Sequence, residues 1–195
     1  MPDDLARLTA ALARPARPSS DYDLNPDTPP PVGRVLRAAA VLVAVTGDGR
    51  LILTKRSSHL KHHPGQIAFP GGKVDAGDAG PQAAALREAQ EEVGLPASAV
   101  QVIGALPQHE TVTGFQITPF LAMVIAPFNP IPEAGEVDEV FTVPLSHVLD
   151  PARFRVERRR WRGAWRRYYA VPYGPYYIWG ATACILRGLA DRALP

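Results

Sequence analysis

The amino-acid sequence predicts an α/β fold in which a mixed β-sheet is sandwiched between helices. Three observations support this prediction: apolar runs of strand length come in groups, a helical segment separates two of these groups, and another helical segment ends the chain. The 195 residues suit one domain with a sizeable core and an additional arm. Hydrophobic residues make up 46% of the chain, and no apolar run approaches the ~20 residues that cross a bilayer, so we expect a soluble globular protein.

The beginning of the chain is predicted to form an arm ahead of the main domain. Leu5, Leu8 and Leu12 recur at helical spacing, which predicts an amphipathic helix, and a stretch rich in Pro, Ser and Asp follows it. We therefore divide the chain into an amphipathic arm with a Pro-rich linker, 1–33, and a main domain, 34–195. The pattern permits packing of the arm on its own domain or on a second subunit.

The first half of the main domain is predicted to contain a β-hairpin, a loop and a helix. The apolar runs RAAAVLVAV and RLILTKRS flank the turn sequence TGDG, a pattern that predicts a hairpin. The loop that follows leads to a helix from about Pro81 to Val93. Pro81 suits the first helical turn, and Gly94 suits the stop.

The second half is predicted to hold the remaining strands and a C-terminal helix. Strand-like runs are AVQVIGALP, ITPFLAMVIA and VDEVFTVPL, the last of which runs into a turn or short helix. The segments FRVERRRW and AWRRYYAVPY, joined by Arg-Gly, predict a second hairpin. The final segment, Gly180 to Leu194, is helical by period, with Ile185, Leu189 and Leu194 on one side.

Cysteine content and the N-terminal residues indicate a reducing compartment. Cys184 is the only cysteine, so no intrachain disulfide or cysteine-based zinc site is possible, and its apolar neighbours indicate a buried small side chain. The acids Asp3 and Asp4 close to Met1, and an arginine within the apolar face of the first helix, fit neither a secretory signal nor a membrane anchor. We expect a cytoplasmic protein with no membrane partner. The net charge of +2 is too small to indicate nucleic acid by itself.

Three glutamates near the end of the predicted helix are placed unfavourably for a simple surface helix. Glu88, Glu91 and Glu92 have i, i+3 and i+4 spacing, so they repel each other on one face, at the end where the helix dipole is negative. A solvated acidic face is the alternative explanation. Crowded carboxylates, however, suit a hard divalent cation such as Mg²⁺ or Mn²⁺, whose charge offsets the repulsion.

A glycine turn precedes the helix. The sequence FPGG, Phe69 to Gly72, allows backbone to approach a ligand closely because glycine has no Cβ and accepts positive φ. It is not a P-loop, since Val74 follows Lys73 where that motif requires Ser or Thr. A tight turn without a ligand is the alternative. The turn indicates a phosphate site only in combination with the acidic helix.

Together these segments resemble the Nudix hydrolase family, whose signature reads Gly, five residues, Glu, seven residues, then Arg-Glu-apolar-x-Glu-Glu-x-Gly-apolar. The match is REAQEEVGL, Arg87 to Leu95, with Ala89 in the first apolar place. The upstream half differs: Asp78 stands where Glu is usual, and eight residues rather than seven separate it from Arg87.

The segment before this signature, LTKRSSHLKHHPGQIAFPGG, is similar to the corresponding segment of coenzyme A pyrophosphatases of the same family. The matching residues are Leu53, Thr54, Arg56, Ser57, Gly65, Phe69, Pro70, Gly71 and Gly72. Lys61 takes the place of an arginine, which keeps the charge but loses the planar fork used for bidentate phosphate contacts.

The resemblance implies a Nudix α/β/α sandwich over 34–195 and metal-dependent hydrolysis of the coenzyme A diphosphate to 3′,5′-ADP and 4′-phosphopantetheine. The implied metal ligands are Glu88, Glu91 and Glu92, with Mg²⁺ or Mn²⁺ as the ion. Arg87 orients these glutamates, and a later acid, Glu139 or Glu136, is a further ligand or base; we assign Glu139 to the catalytic set. The implied substrate-binding residues are Arg56, Lys61, Phe69, Gly71 and Gly72.

Other functions remain as alternatives. A Nudix hydrolase of ADP-ribose, NADH or another nucleoside diphosphate derivative is the second choice, and a non-catalytic nucleotide- or RNA-binding Nudix module is the third. His59, His62 and His63 join Arg56 and Lys61 in a basic cluster that suits phosphate. The arginine-rich second hairpin also permits nucleic-acid binding, but we favour an ordinary exposed two-faced strand, and nucleic acid is not an expected partner. A homodimer is left open.

Overall fold

The computed structural model describes residues 2–161 and 163–193, with side chains from Leu5 onward. The helices are α1 (Pro2–Ala13), α2 (Pro81–Val93), α3 (Leu145–Val148) and α4 (Ala181–Ala193). The strands are β1 (Ser19–Ser20), β2 (Arg37–Val45), β3 (Arg50–Arg56), β4 (Ile67–Ala68), β5 (Gly71–Lys73), β6 (Val100–Ala105), β7 (His109–Glu110), β8 (Phe115–Val124), β9 (Val137–Pro144), β10 (Arg155–Trp161) and β11 (Ala164–Ala170).

The main sheet is mixed, which confirms the predicted sheet type. Within the described residues, β1 to β9 form one sheet, in which β2 runs parallel to β8 and β3 runs antiparallel to β9. The first predicted hairpin is correct at its turn, but β2 and β3 pair only at Val45 and Leu51. The two strands otherwise diverge, because β2 also pairs with β5 and β8. Strand β2 is therefore central to the sheet.

Helices cover both faces of the sheet. Even-numbered residues of β2, such as Leu42, pack in the same cluster as Ala85 and Ala89 of α2. Odd-numbered residues, such as Val43, pack in the cluster that contains Leu189 of α4. Burial on both faces explains why β2 is an unbroken apolar run rather than an alternating one. The result is an α/β/α sandwich, as predicted.

The N-terminal arm packs on its own domain. Leu8 and Ala11 of α1 are fully buried in the core cluster that includes α4, and α1 lies against α4. Strand β1 then pairs in parallel with β7. The side chain of Asn25 donates to the Arg167 carbonyl at 3.0 Å and accepts from the Arg167 N–H at 2.7 Å. The arm thus contributes to the core and to the edges of both sheets.

Local sequence patterns located the regular elements well. Helix α2 has the predicted bounds, and β10 and β11 form the predicted second hairpin. Helix α4 buries Leu189 as expected, while Leu194 and Arg162 lie outside the described residues. The short strands β1, β4, β5 and β7 were not predicted, because two or three residues carry no periodicity. None of the helices in the described part of the chain is long and apolar enough to cross a membrane.

Candidate metal and diphosphate site

The end of α2 brings a distant acidic loop to the helix glutamates. Gly94 adopts a left-handed conformation, φ 71° and ψ 19°, and its N–H donates to the Gln90 carbonyl at 3.0 Å. The loop between β8 and β9 satisfies a free helix carbonyl: the Glu133 N–H donates to the Glu92 carbonyl at 3.0 Å. Glu136 is three residues further on. The carbonyl groups left free at the end of the helix therefore hold this loop beside the glutamates.

Glu92 is a buried carboxylate between the glycine turn and β3. Only 2% of it is exposed, its Oε2 accepts from the Gly71 N–H at 3.0 Å, and its Oε1 lies 3.5 Å from a guanidinium nitrogen of Arg56. Burial raises the Glu92 pKa to about 7, although the Gly71 hydrogen bond and Arg56 oppose the rise. The charges of Glu88 and Glu136 add to it. The ionised form of Glu92 is therefore incompletely compensated.

Glu88 lies directly over the second glycine of the turn. A Cβ built on Gly72 would come within 2.5 Å of the Glu88 carboxylate, so glycine is what permits this approach. Burial also raises the Glu88 pKa, against the favourable effect of Arg87, and the charges of Glu91 and Glu136 contribute. Glu88 and Glu92 thus share a site in which negative charge is disfavoured.

Arg87 connects the acids on the outer side of the helix. Its guanidinium donates to both carboxylate oxygens of Asp78, at 2.9 and 3.0 Å, and to Glu88 and Glu91 at 3.1 and 2.8 Å. The bidentate bond with Arg87 is the main cause of the lowered pKa of Asp78. Asp78 therefore anchors the arginine despite the unusual spacing. Apart from the position of Asp78 in the family signature, no local sequence pattern predicted this pair.

The remaining predicted residues are more dispersed. Glu91 is half exposed and turned toward Arg87, and Lys61 is exposed on the loop after β3. Phe69 is 3% exposed and belongs to the core, so its side chain supports the glycine turn from below. Glu139 on β9 accepts a hydrogen bond from the hydroxyl of Tyr176, a residue that sequence reasoning did not single out. The Tyr176 ring stacks on Phe141, with ring centroids 3.6 Å apart.

The donor set suits a hard divalent cation. Glu88 and Glu92 supply carboxylate oxygens in a partly desolvated site where their charges repel, and a bound cation would offset that repulsion. Among the described side chains, those of residues 5–161 and 163–193, no three His, Cys, Asp or Glu converge as they stand into a metal-binding group. A third protein ligand would require rotation of Glu91 or Glu136 toward the buried pair.

An α/β/α sandwich with a glycine turn packed on clustered helix glutamates defines a class of protein suited to metal-dependent chemistry on phosphates. The NUDIX domain family model matches residues 35–163. The chain therefore belongs to the Nudix family, has the Nudix fold and is a hydrolase of that class. Proteins of this family act on small nucleotide derivatives and generally use divalent metal ions.

Curated relatives agree with this assignment. A protein of Enterobacter sp. (strain 638) named uncharacterized Nudix hydrolase NudL is 45% identical over 156 residues, covering 79% of this chain and 81% of the relative. The protein of the same name from Citrobacter koseri is 46% identical over the same shares.

Solved structures with a similar fold include a Nudix hydrolase from M. smegmatis, RenU. That protein is 28% identical, with a TM-score of 0.46, and the match covers 60% of this chain and 74% of that one. A MutT protein from Methanosarcina mazei Go1 is 19% identical, with a TM-score of 0.49, and the match covers 61% and 84% of the two chains.

Proposed function

We propose that this Nudix hydrolase cleaves the diphosphate of coenzyme A or its derivatives, giving 3′,5′-ADP and 4′-phosphopantetheine. One observation carries the proposal. The segment that resembles coenzyme A pyrophosphatases, Leu53 to Gly72, packs directly on the helix glutamates: Arg56 and Gly71 contact Glu92, and Gly72 lies against Glu88. Residues that resemble a substrate-recognition segment and residues of the hydrolytic signature thus meet in one site.

The site residues have separable roles in this proposal. Glu88 and Glu92, with Glu91 after rotation, would hold Mg²⁺ or Mn²⁺. When bound, the ion supplies a water of lowered pKa and neutralises charge on the phosphoryl oxygens. Gly71 fixes the Glu92 carboxylate through its N–H, and Arg87 orients Glu88 and Glu91. Arg56 places a cation beside Glu92, where it can also contact a diphosphate oxygen.

The further acid is Glu136 or Glu139, and we favour Glu136. Its negative charge raises the pKa of both Glu88 and Glu92, so it lies close enough to reach the pair after a side-chain rotation. Glu139, which the sequence analysis placed in the catalytic set, is engaged by Tyr176. Comparing Glu136→Gln with Glu139→Gln distinguishes them: loss of kcat in the first with a smaller change in the second supports Glu136, and the reverse result assigns the role to Glu139.

Recognition of coenzyme A requires cations for its separate 3′-phosphate. Lys61, His59 and His62 are exposed on the loop between β3 and β4. His63, in the same loop, is exposed as well and has a positive φ of 55°, and partial desolvation lowers its pKa. Arg56 begins this loop beside Glu92. We assign the diphosphate to Arg56 and the glycine turn, and the 3′-phosphate to the loop that contains Lys61.

Mass spectrometry of products, with coenzyme A, dephospho-coenzyme A, ADP-ribose and NADH each offered with Mg²⁺ or Mn²⁺, tests the proposal. We expect 3′,5′-ADP and 4′-phosphopantetheine from coenzyme A, and slower cleavage of the dephospho form because the loop cations lose their partner. Glu88→Gln is the inactive control. Cleavage of ADP-ribose or NADH with coenzyme A left intact would overturn the substrate assignment while retaining the enzyme class. No cleavage of any of them would favour a binding module.

A further inference from the structure

The β10–β11 hairpin has two faces with different surroundings. Paired residues of an antiparallel hairpin lie on the same face, so the register separates an inner face from an outer one. On the inner face, the Arg166 guanidinium lies over the rings of Tyr22 and Trp161, and Arg159 lies over Trp179. The Tyr177 hydroxyl donates to Glu157 on the same face. These contacts anchor the hairpin to the domain.

The outer face is exposed, basic and aromatic. We define it as Val156, Arg158, Arg160, Trp165 and Arg167. Each of these residues is exposed, including 58% of Trp165 and 53% of Val156. No acidic residue of β10 or β11 lies on this face, and no salt bridge found among the described residues involves its arginines. The face therefore carries three positive charges that the described part of the chain leaves uncompensated.

The arrangement opposes the stability of the hairpin itself. Arg158 is directly opposite Arg167, and on the inner face Arg159 is directly opposite Arg166. Like charges at directly opposed positions of an antiparallel pair are destabilising. Sequence alternation alone is also typical of an ordinary solvated strand. The exposed cross-strand pair Arg158 and Arg167 is different, because an anion bound between these two arginines would remove their repulsion.

Trp165 indicates the chemistry of that anion. The Arg158 guanidinium lies 5.0 Å from the Trp165 ring centre, and Arg160 is paired with Trp165 across the strands. Arginines interleaved with an exposed aromatic ring are the combination that binds single-stranded nucleic acid, in which cations contact phosphates and bases stack on the ring. We propose that the outer face binds single-stranded nucleic acid, with its three arginines at phosphates and Trp165 stacked on a base. This proposal is independent of the diphosphatase site.

Fluorescence anisotropy with a labelled 20-nucleotide single strand tests it. Three phosphate contacts predict that log K falls against log salt concentration with a slope of about −2, and Arg158→Gln/Arg160→Gln should reduce this slope to about −0.7. The charge-matched control, Arg7→Gln/Arg17→Gln, changes two exposed arginines outside the hairpin and should bind like the wild type. Trp165→Ala should weaken binding about 5-fold or more without changing the slope.

Two further measurements make the proposal falsifiable. A duplex of the same sequence should bind more weakly than the single strand, because its bases cannot stack on Trp165. Hydrolytic activity of the outer-face variants should match the wild type and shows that they are folded. Absence of binding at 20 mM salt, or equal effects of the two double variants, would overturn the proposal. Binding to phosphatidylserine vesicles but not to the oligonucleotide would also overturn it and would make the face a membrane-surface contact.

Discussion

Two buried ionisable clusters of this protein respond to burial in opposite ways. Asp21 and His109 join the arm to β7: the His109 Nε2 is 3.2 Å from an Asp21 oxygen, and the His109 Nδ1 is 2.9 Å from the Ser19 hydroxyl. Burial alone lowers the His109 pKa, but hydrogen bonds with Asp21 and Cys184 raise it to about 9. The Asp21 pKa is lowered despite burial, chiefly by the same hydrogen bond with His109. Both shifts favour the charged forms, so near neutral pH His109 is a cation and Asp21 is an anion.

Glu92 is also buried and Glu88 is half-buried, but their neighbours include other acids. Burial raises the pKa of both. The charge of Glu88 raises the Glu92 pKa further, and the charges of Glu91 and Glu136 raise the Glu88 pKa further. Opposite charges compensate each other at the arm, whereas the like charges at the end of α2 repel each other, and a bound cation would offset this repulsion. The comparison separates a cluster that stabilises the fold from one that is prepared for a ligand.

The substitution with the largest expected effect is Glu92→Gln. We expect hydrolysis to fall by about 10³-fold, the loss typical for removal of a group that stabilises charge in the transition state. The metal-free variant should nevertheless be more stable than the wild type at pH 8, by up to about 3 kcal/mol, because a buried ionised carboxylate is replaced by a neutral amide. Urea unfolding in EDTA measures this. Glu91→Gln, at a half-exposed carboxylate, should give no such gain; an equal gain would contradict the interpretation.

Asp21→Asn should have the opposite effect on stability. Removal of one member of a buried pair leaves the other uncompensated, so we expect a loss of about 3 kcal/mol in the free energy of unfolding. Asp27→Asn, at an exposed position of the same segment, is the matched control and should change stability by less than about 0.5 kcal/mol. If the two substitutions gave equal losses in chemical denaturation, the buried pair would not be a stabilising element.

The two clusters should lose their contributions to stability over different pH ranges. His109 has a folded pKa raised above its ordinary 6.5, so its contribution is fully present below pH 6.5 and is lost as pH rises toward about 9. Metal-free Glu92 also has a raised pKa, so its contribution is present below pH 4.5 and is lost through about pH 7. Each window should disappear from unfolding measurements of His109→Gln or Glu92→Gln, respectively. Saturating Mg²⁺ should remove the Glu92 window only.

Gly72→Ala is the smallest expected change. The added Cβ would displace the Glu88 carboxylate, so we expect about a 10-fold loss of kcat with a stability change below about 1 kcal/mol, because the atom that must move is the end of a flexible side chain. Gly77→Ala, where a Cβ meets nothing within 4 Å, is the control. Unchanged kcat in Gly72→Ala would show that the close approach of Gly72 to Glu88 is unimportant for catalysis.

Local sequence patterns were sufficient for the elements that carry the site. Pro81 and Gly94 predicted the bounds of α2, and helical spacing alone placed Glu88 and Glu92 on one face. The bounds of the helix and the shared face of the two glutamates both depend only on residues a few positions apart, so they can be predicted from the order of residues in the sequence. The hairpin pairing of β2 with β3 was only partly correct, because pairing partners are chosen by burial on both faces of a sheet rather than by proximity in sequence.

The sequence by itself determined the fold class, the acidic helix face and the glycine turn, since each depends on residue types at short, fixed spacing. Only the tertiary structure decided that Asp78 holds Arg87, that the loop containing Glu133 docks on the end of α2 and that the arm packs on its own domain. These contacts join residues far apart in the chain or separated by irregular turns. Their geometry depends on how whole layers pack, and no local periodicity records that packing.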